Sequence, residues 1–357
     1  MTTKLSIENQ VGESQWLAQL IQSVTSAHIS ENPATIINIY VALKSKPMLL
    51  LAGPAGGKKS ELVRCLAQHL LGSDCYQCQI LTGHPWWIAP GQNFAFFSHV
   101  HSRFTSEKIL CLLEEAILPQ NRQKPFIAGL VKLGPGELKT YFSEVSFQLQ
   151  RGELIHFGDL HLNHPVPFPL NLHWIGTMDV ERFRWWDPDL LASTTVVHWS
   201  EESMSEFICP LANHLHQQSK SNVFAASVRS KQAVYRKLHT ILEGMQQPLA
   251  PLSIVNDMLT QHSIDLPAMV NGDIATYLAN AWADDGAGLF HSSTDKNLNT
   301  ALDYAFAQYL LPRIEMPLKQ STSLFVELES FFQERFPYTH QQLSWISGSF
   351  HEGQIIG

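Results

Sequence analysis

The sequence predicts an α/β fold in which a parallel sheet domain is followed by a mostly helical domain. Short apolar runs alternate with helical patterns between residues 34 and 200, as in parallel α/β sheets. A glycine-rich segment, residues 53–60, stands between the first of these runs and a helical pattern. From residue 201 onward the spacing is mostly helical. We therefore predict an N-terminal helical segment over 1–33, an α/β domain over 34–200 and a helical domain over 201–357.

The composition is that of a globular protein without a membrane segment. The chain has 357 residues, of which 45% are hydrophobic and 16% charged, and this length is enough for two domains with a substantial core. Its net charge of −8 provides no general attraction for nucleic acid, which would need a local patch or a partner. Residues 1–10 lack the apolar core of a signal peptide, and we find no long apolar stretch. Together with the five cysteines, this predicts a cytoplasmic protein with reduced thiols.

Each element of the first domain follows from a local pattern. A continuous apolar run, typical of central parallel strands that are buried on both faces, predicts a strand over 48–52. Further strands are predicted over 77–82, 125–131, 172–178 and 195–199. Helical spacing predicts helices over 14–28, 34–44, 60–71, 107–118 and 138–149. Residues 152–169 have the pattern of a hairpin.

The second domain is predicted from helical spacing alone. The expected helices cover residues 201–218, 223–245, 273–283, 297–312, 321–335 and 339–347, and residues 286–293 are expected to form a loop. We find no internal repeat and no low-complexity segment.

The glycine-rich segment fits a phosphate-binding loop with one departure. Such a loop follows the pattern Gly-x-x-x-x-Gly-Lys-Ser/Thr, whose backbone N–H groups and helix N-terminus surround a phosphate. Lys59 takes the lysine place, Ser60 takes the place of the hydroxyl that binds Mg²⁺, and Lys58 replaces the last glycine. The predicted nucleotide-binding residues are Gly53, Pro54, Ala55, Gly56, Gly57, Lys58, Lys59 and Ser60. The structural interpretation of the same segment is a strand–turn–helix corner with two solvated lysines.

The order and spacing of several segments resemble the McrB-like group of AAA+ ATPases, which are motor subunits of some DNA restriction and defence systems. The segments are residues 41–56, 125–145, 171–179, 187–191 and 301–313. The resemblance implies a P-loop domain with a helical lid, ATP and Mg²⁺ as cofactors, and protein partners in a ring or complex. It also implies contact with nucleic acid through that complex.

Three motifs depart from this family. An Asp-Glu pair ends the third strand of family members, where the Asp helps to hold Mg²⁺ and the Glu activates water; Val131 and Lys132 occupy these places. Asp179 replaces the sensor asparagine, and Ser193 lies within residues 192–194, the place of the arginine finger. A buried valine cannot hold a metal, a protonated lysine is no base, and a missing finger alone lowers the rate about 10³-fold or more.

The expected function is therefore a structural or regulatory subunit with little or no ATP hydrolysis. A second hypothesis is an active ATPase with displaced groups, whose base is one of Glu114, Glu115, Glu137 and Glu144 and whose finger is Arg182 or Arg184. A third is a DNA-binding module that retains only the fold, which the negative net charge disfavours.

Four further patterns each have a functional and a structural interpretation. Arg313 is a candidate lid contact to nucleotide, or a salt-bridged arginine at a helix end. The Cys75–Cys78 pair is a candidate metal or redox motif, or two buried strand thiols. His156, Asp159, His161 and His164 form a candidate metal cluster, or polar residues of the hairpin. The pairs Trp86–Trp87 and Trp185–Trp186 suit an interface or base stacking, or packing between the domains.

Overall fold

Within the described residues, five parallel strands form one sheet. A computed structural model describes residues 12–30, 32–56, 58–72, 76–83, 94–157, 165–180, 186–199 and 227–352. The strands are β1 (Met48–Gly53), β2 (Cys78–Thr82), β3 (Phe126–Val131), β4 (Leu172–Asp179) and β5 (Thr194–His198). Their order across the sheet is β2-β3-β4-β1-β5, and every pair of neighbours is parallel. The predicted parallel α/β sheet is confirmed, and each strand lies within about one residue of its predicted position.

The strands have continuous apolar sequences because helices cover both faces of the sheet. All six residues of β1 and all six of β3 are buried. Alternate side chains of β1 enter different hydrophobic clusters: Leu49 and Leu51 join one, Leu50 and Ala52 the other. A strand that must be apolar on both faces cannot show polar alternation.

Helices α1 to α3 supply the first of these clusters, and α4 to α7 face the second. Their bounds are α1 Glu13–Ser26, α2 Pro33–Ser45, α3 Lys59–Leu71, α4 Phe94–Ile117, α5 Pro135–Leu138, α6 Glu144–Gln150 and α7 Pro188–Ser193. A π turn, Lys139–Ser143, joins α5 to α6, so the helix predicted over 138–149 is interrupted. Helix α4 begins at Phe94, well before the predicted residue 107.

The remaining helices all contribute side chains to the first cluster. They are α8 Lys231–Leu242, α9 Ala250–Gln261, α10 Ala268–Asn280, α11 Thr294–Ala305, α12 Leu311–Gln320, α13 Thr322–Arg335 and α14 Pro337–Glu352. The first hydrophobic cluster runs without a break from Trp16 in α1 to Ile346 in α14. The division at residue 200 therefore separates sheet from helices but does not separate two cores.

Helix α9 was not predicted, and the reason is its proline. Pro251 lies in the first turn of α9, where a helix has no use for the missing N–H group, whereas in the sequence it suggests a loop. Of the predicted hairpin, the described residues show one antiparallel bridge, Ile155–Val166, and the tip of the hairpin lies outside them. The helix predicted over 201–218 lies outside them as well. In the described part of the chain, no helix is long and apolar enough to cross a membrane.

Candidate phosphate-binding site

The strand order itself singles out one edge of the sheet. The chain leaves β1 through α3 on one face and leaves β4 through α7 on the other. Adjacent parallel strands whose connections diverge in this way open a crevice at their carboxyl ends, where open α/β sheets bind ligands. Gly53 and Asp179, the last residues of β1 and β4, are register partners at this edge. The predicted loop therefore lies at the crevice.

Gly53 is fixed by a close backbone contact. A Cβ atom at this position would lie 1.8 Å from the carbonyl oxygen of Trp199, which no side chain can tolerate. The N–H of Trp199 donates to the carbonyl of Ala52 at 2.7 Å, so the chain that follows β5 is fixed against the end of β1. Gly53 is required here for packing, whatever the loop binds.

Lys58, which replaces the last glycine of the loop pattern, has a left-handed backbone conformation. Lys58 lies immediately before α3 with φ of 53° and ψ of 18°, the left-handed region that glycine adopts without strain. Its ammonium group donates to the carbonyl of His28 at 2.7 Å. The loop thus keeps the conformation of a glycine place, and the lysine side chain points to the segment between α1 and α2. Gly56 also has a positive φ, 83°, and Gly57 lies outside the described residues.

Lys59 is buried and fully bonded. Its side chain is 3% exposed, and its ammonium donates to the carbonyl oxygens of Gly53 at 3.0 Å and Pro54 at 2.5 Å. The carboxylate of Asp179 lies 2.9 Å away. A lysine ammonium has three hydrogens, so these three partners use all of them. A phosphate would have to replace at least one partner, and Asp179 is the one that carries charge.

The end of β3 provides no acid. Val131 is 1% exposed within the first hydrophobic cluster. Lys132 is exposed with φ of 58°, and its N–H donates to the hydroxyl of Thr177 at 2.8 Å. This end of β3 is separated from β1 only by β4, or about 10 Å, so it is where a metal-binding carboxylate would be useful. Val131 and Lys132 themselves cannot hold Mg²⁺.

Of the four glutamates considered as displaced bases, two lie at the wrong edge. Asn121, which precedes β3, donates to the backbone carbonyl of Glu115 at 2.9 Å. Because α4 runs antiparallel to the strands, Glu114 and Glu115 lie near their amino ends, about 20 Å from the loop by strand length. Glu137 follows β3 at the correct edge, but its carboxylate accepts the N–H of Gly134 at 2.9 Å. Glu144 begins α6 and is half-buried.

The finger place and the candidate lid arginine also lie at the amino edge. Ser193 precedes β5, and its N–H donates to the hydroxyl of Ser146 at 3.0 Å. Arg313 donates to the carbonyl of Leu191 at 2.8 Å and lies 3.1 Å from the carboxylate of Asp273. Its surroundings are those of the salt-bridged interpretation, and it does not face the loop.

Two residues with shifted pKa values, Lys46 and His198, were not identified as candidates from the sequence. Lys46 lies 2.7 Å from the carboxylate of Asp273 and donates to two backbone carbonyls of α7. Burial lowers the pKa of Lys46 to about 8, although Asp273 opposes the shift. At the other edge, burial and the charge of Lys59 lower the pKa of His198 to about 4. No local motif marks either residue, because their partners are distant in sequence.

Nine other candidate residues lie outside the described residues: Cys75, Asp159, His161, His164, Trp86, Trp87, Arg182, Arg184 and Trp185. Trp186 is buried in the second cluster, whose members all belong to the α/β domain, so it packs within that domain and not between the domains. His156 is exposed. The described residues contain no group of three His, Cys, Asp or Glu side chains that could hold a metal. No protein-family model matches the sequence, and no curated protein matches it.

Proposed function

We propose that this chain is a catalytically degenerate AAA+ ATPase-like subunit, which acts as a structural or regulatory component of a multi-protein complex. One observation carries the proposal: the lysine of the phosphate loop is already neutralised and fully bonded within its own chain. Lys59 is paired with Asp179 and with two carbonyl groups. The assignment to AAA+ proteins, and to DNA restriction or phage defence, rests on the resemblance of the motifs.

Weak nucleotide binding follows from the position of Asp179. Its carboxylate is an internal anion at the place where a phosphate would approach Lys59, so it both competes for the ammonium and repels the phosphate. The side chain of Asp179 is 50% exposed, so solvent screens the pair and the competition is worth only about 1 kcal/mol. The loop and the N-terminus of α3 can still attract an anion. ATP binding is therefore weakened but not abolished.

The site lacks more of the groups needed for ATP hydrolysis than of those needed for ATP binding. A phosphoryl-transfer site needs a carboxylate for the metal and a group that orients water. The end of β3 offers Val131 and Lys132 instead, and Ser60 is the one predicted metal contact that remains. In a subunit that binds ATP without hydrolysing it, the nucleotide serves at most to stabilise one conformation of the loop.

ATP turnover by the purified protein tests the proposal. We expect no turnover above that of Lys59→Ala, either alone or with the products of neighbouring genes, and co-purification with at least one of those products. Robust turnover that Lys59→Ala abolishes would contradict the proposal.

An active ATPase is the second candidate function, and the position of one carboxylate favours it. Glu137 follows β3 at the carboxyl edge, three residues beyond Gly134, whose N–H it accepts. If the Glu137 side chain moved away from the N–H of Gly134, its carboxylate would lie close to Val131 and Lys132, which occupy the places of the family's Asp-Glu pair. If the protein is an active ATPase of this kind, Glu137→Gln abolishes turnover while Glu115→Gln, at the opposite edge, leaves it unchanged.

A further inference from the structure

A small cavity lies between the carboxyl edge of the sheet and the helical domain. Its volume is about 20 Å³, somewhat more than the roughly 10–15 Å³ that one water molecule needs. Ala52 and Val196 line it from β1 and β5, and Pro312 lines it from α12. The phosphate loop is near, since His198, another lining residue, directly precedes Trp199, whose carbonyl oxygen packs against Gly53.

Three polar side chains around this cavity carry buried atoms without a hydrogen-bond partner among the described residues. They are both amide atoms of Gln342, Oε1 of Gln308 and Nδ1 of His198. Gln342 and Gln308 are each 2% exposed. Reversing the amide of Gln342 exchanges its two atoms and leaves both unpaired, so the result does not depend on the orientation assigned to it. Buried polar atoms are nearly always paired, and four unpaired atoms at one cavity indicate a bound molecule.

The chemistry of the lining defines that molecule. None of the lining residues is charged at neutral pH, because burial, aided by Lys59, lowers the pKa of His198 to about 4. A charged occupant would therefore lack a counter-ion. The carbonyl oxygens of Gln342 and Gln308 only accept hydrogen bonds, whereas the amide nitrogen of Gln342 donates. The occupant must be neutral and must both donate and accept.

We propose that this cavity is a binding site for a small neutral hydrogen-bonding molecule, and that water is the occupant that its size selects. Bound there, the molecule joins α14 to the end of β5 through Gln342 and His198. Water has two donors and two acceptor sites, which match the four unpaired atoms in number. The inference does not depend on nucleotide binding.

Other contacts already hold α14 at this place. The hydroxyl of Tyr338 donates to the carbonyl of His198 at 3.2 Å. The ring of Trp345 packs edge-on against the His198 ring, with the two ring centroids 4.0 Å apart. The carboxylate of Asp303 accepts the N–H groups of Tyr338 and Thr339 at the start of the helix. The bound molecule completes this attachment of α14 to the end of β5.

A crystal structure of the wild-type protein, combined with Gln342→Leu, tests the site. Gln341→Leu is the matched control, since Gln341 is the exposed neighbour on the same helix. We expect density within hydrogen-bonding distance of the Gln342 amide and of His198. Gln342→Leu removes this density, lowers Tm by at least about 2 °C and speeds amide exchange in α14 about tenfold, whereas Gln341→Leu changes neither quantity.

Opposite results would overturn the proposal. In a dry cavity, Gln342→Leu removes two unpaired atoms and fills space, so Tm rises. The wild-type density is decisive even if Gln342→Leu does not fold: a cavity without density, or with the Gln342 amide turned to a protein partner, rules out the site.

Discussion

The two edges of the sheet each hold a lysine paired with an aspartate, yet the two pairs differ in surroundings. At the amino edge, Lys46 shares Asp273 with Arg313, and the three side chains are at most 18% exposed. At the carboxyl edge, Lys59 is buried but Asp179 is 50% exposed. The first arrangement joins helices α7, α10 and α12 and excludes solvent. In the second, half of the aspartate side chain is open to solvent, and under the proposed function a phosphate competes with this aspartate for the lysine.

The largest expected effect comes from Asp273→Ala. It leaves the two cations Lys46 and Arg313 buried without a carboxylate, which destabilises proteins by about 3–5 kcal/mol. Urea denaturation measures this as a lower midpoint at unchanged slope. Asp257→Ala, at an exposed position of α9, should change stability by no more than about 0.5 kcal/mol. If the two variants prove equally stable, the ion pairs of Lys46 and Arg313 with Asp273 do not stabilise the fold.

The next effect is a pH dependence at the same edge. The pKa of Lys46 falls from 10.5 to about 8 on folding, so between these values the unfolded chain binds more protons and stability rises with pH. Between pH 7 and 9.5, the wild type should gain about 2 kcal/mol over Lys46→Met. Lys231→Met, at an exposed residue, controls for the loss of a positive charge. The prediction is contradicted if the difference in free energy of unfolding between wild type and Lys46→Met stays constant, or shrinks, from pH 7 to 9.5.

The smallest effect on stability belongs to the carboxyl edge. Asp179→Asn removes a half-exposed partner and should change the free energy of unfolding by less than about 1 kcal/mol. A loss comparable to that of Asp273→Ala would show that both pairs are structural, and the contrast between the edges would disappear.

The sequence predicts the sheet well because its signal is local. Strands buried on both faces must be apolar at every position, and the runs around Leu50 and Ile175 show this directly. The glycine loop was placed for the same reason, since its pattern fits within eight residues. Helix α9 was missed because Pro251 is ambiguous without knowledge of where a helix begins.

The ion pairs could not be predicted, because they depend on which strands and helices are neighbours. Lys46 and Asp273 are 227 positions apart. Asp179 could be named from the sequence as a replaced asparagine, but its contact with Lys59 requires β4 to lie beside β1. Gln342 and His198 likewise meet only through the packing of α14 on β5.

The affinity for Mg²⁺-ATP of the wild type and of Asp179→Asn, measured by calorimetry at low ionic strength, tests the central claim most directly. If Asp179 occupies the lysine as an internal anion, wild-type binding is weak and Asp179→Asn binds about fivefold more tightly, a gain of about 1 kcal/mol. Asp257→Asn leaves the affinity unchanged, and added salt reduces the difference. Equal affinities, or weaker binding by Asp179→Asn, would contradict the account.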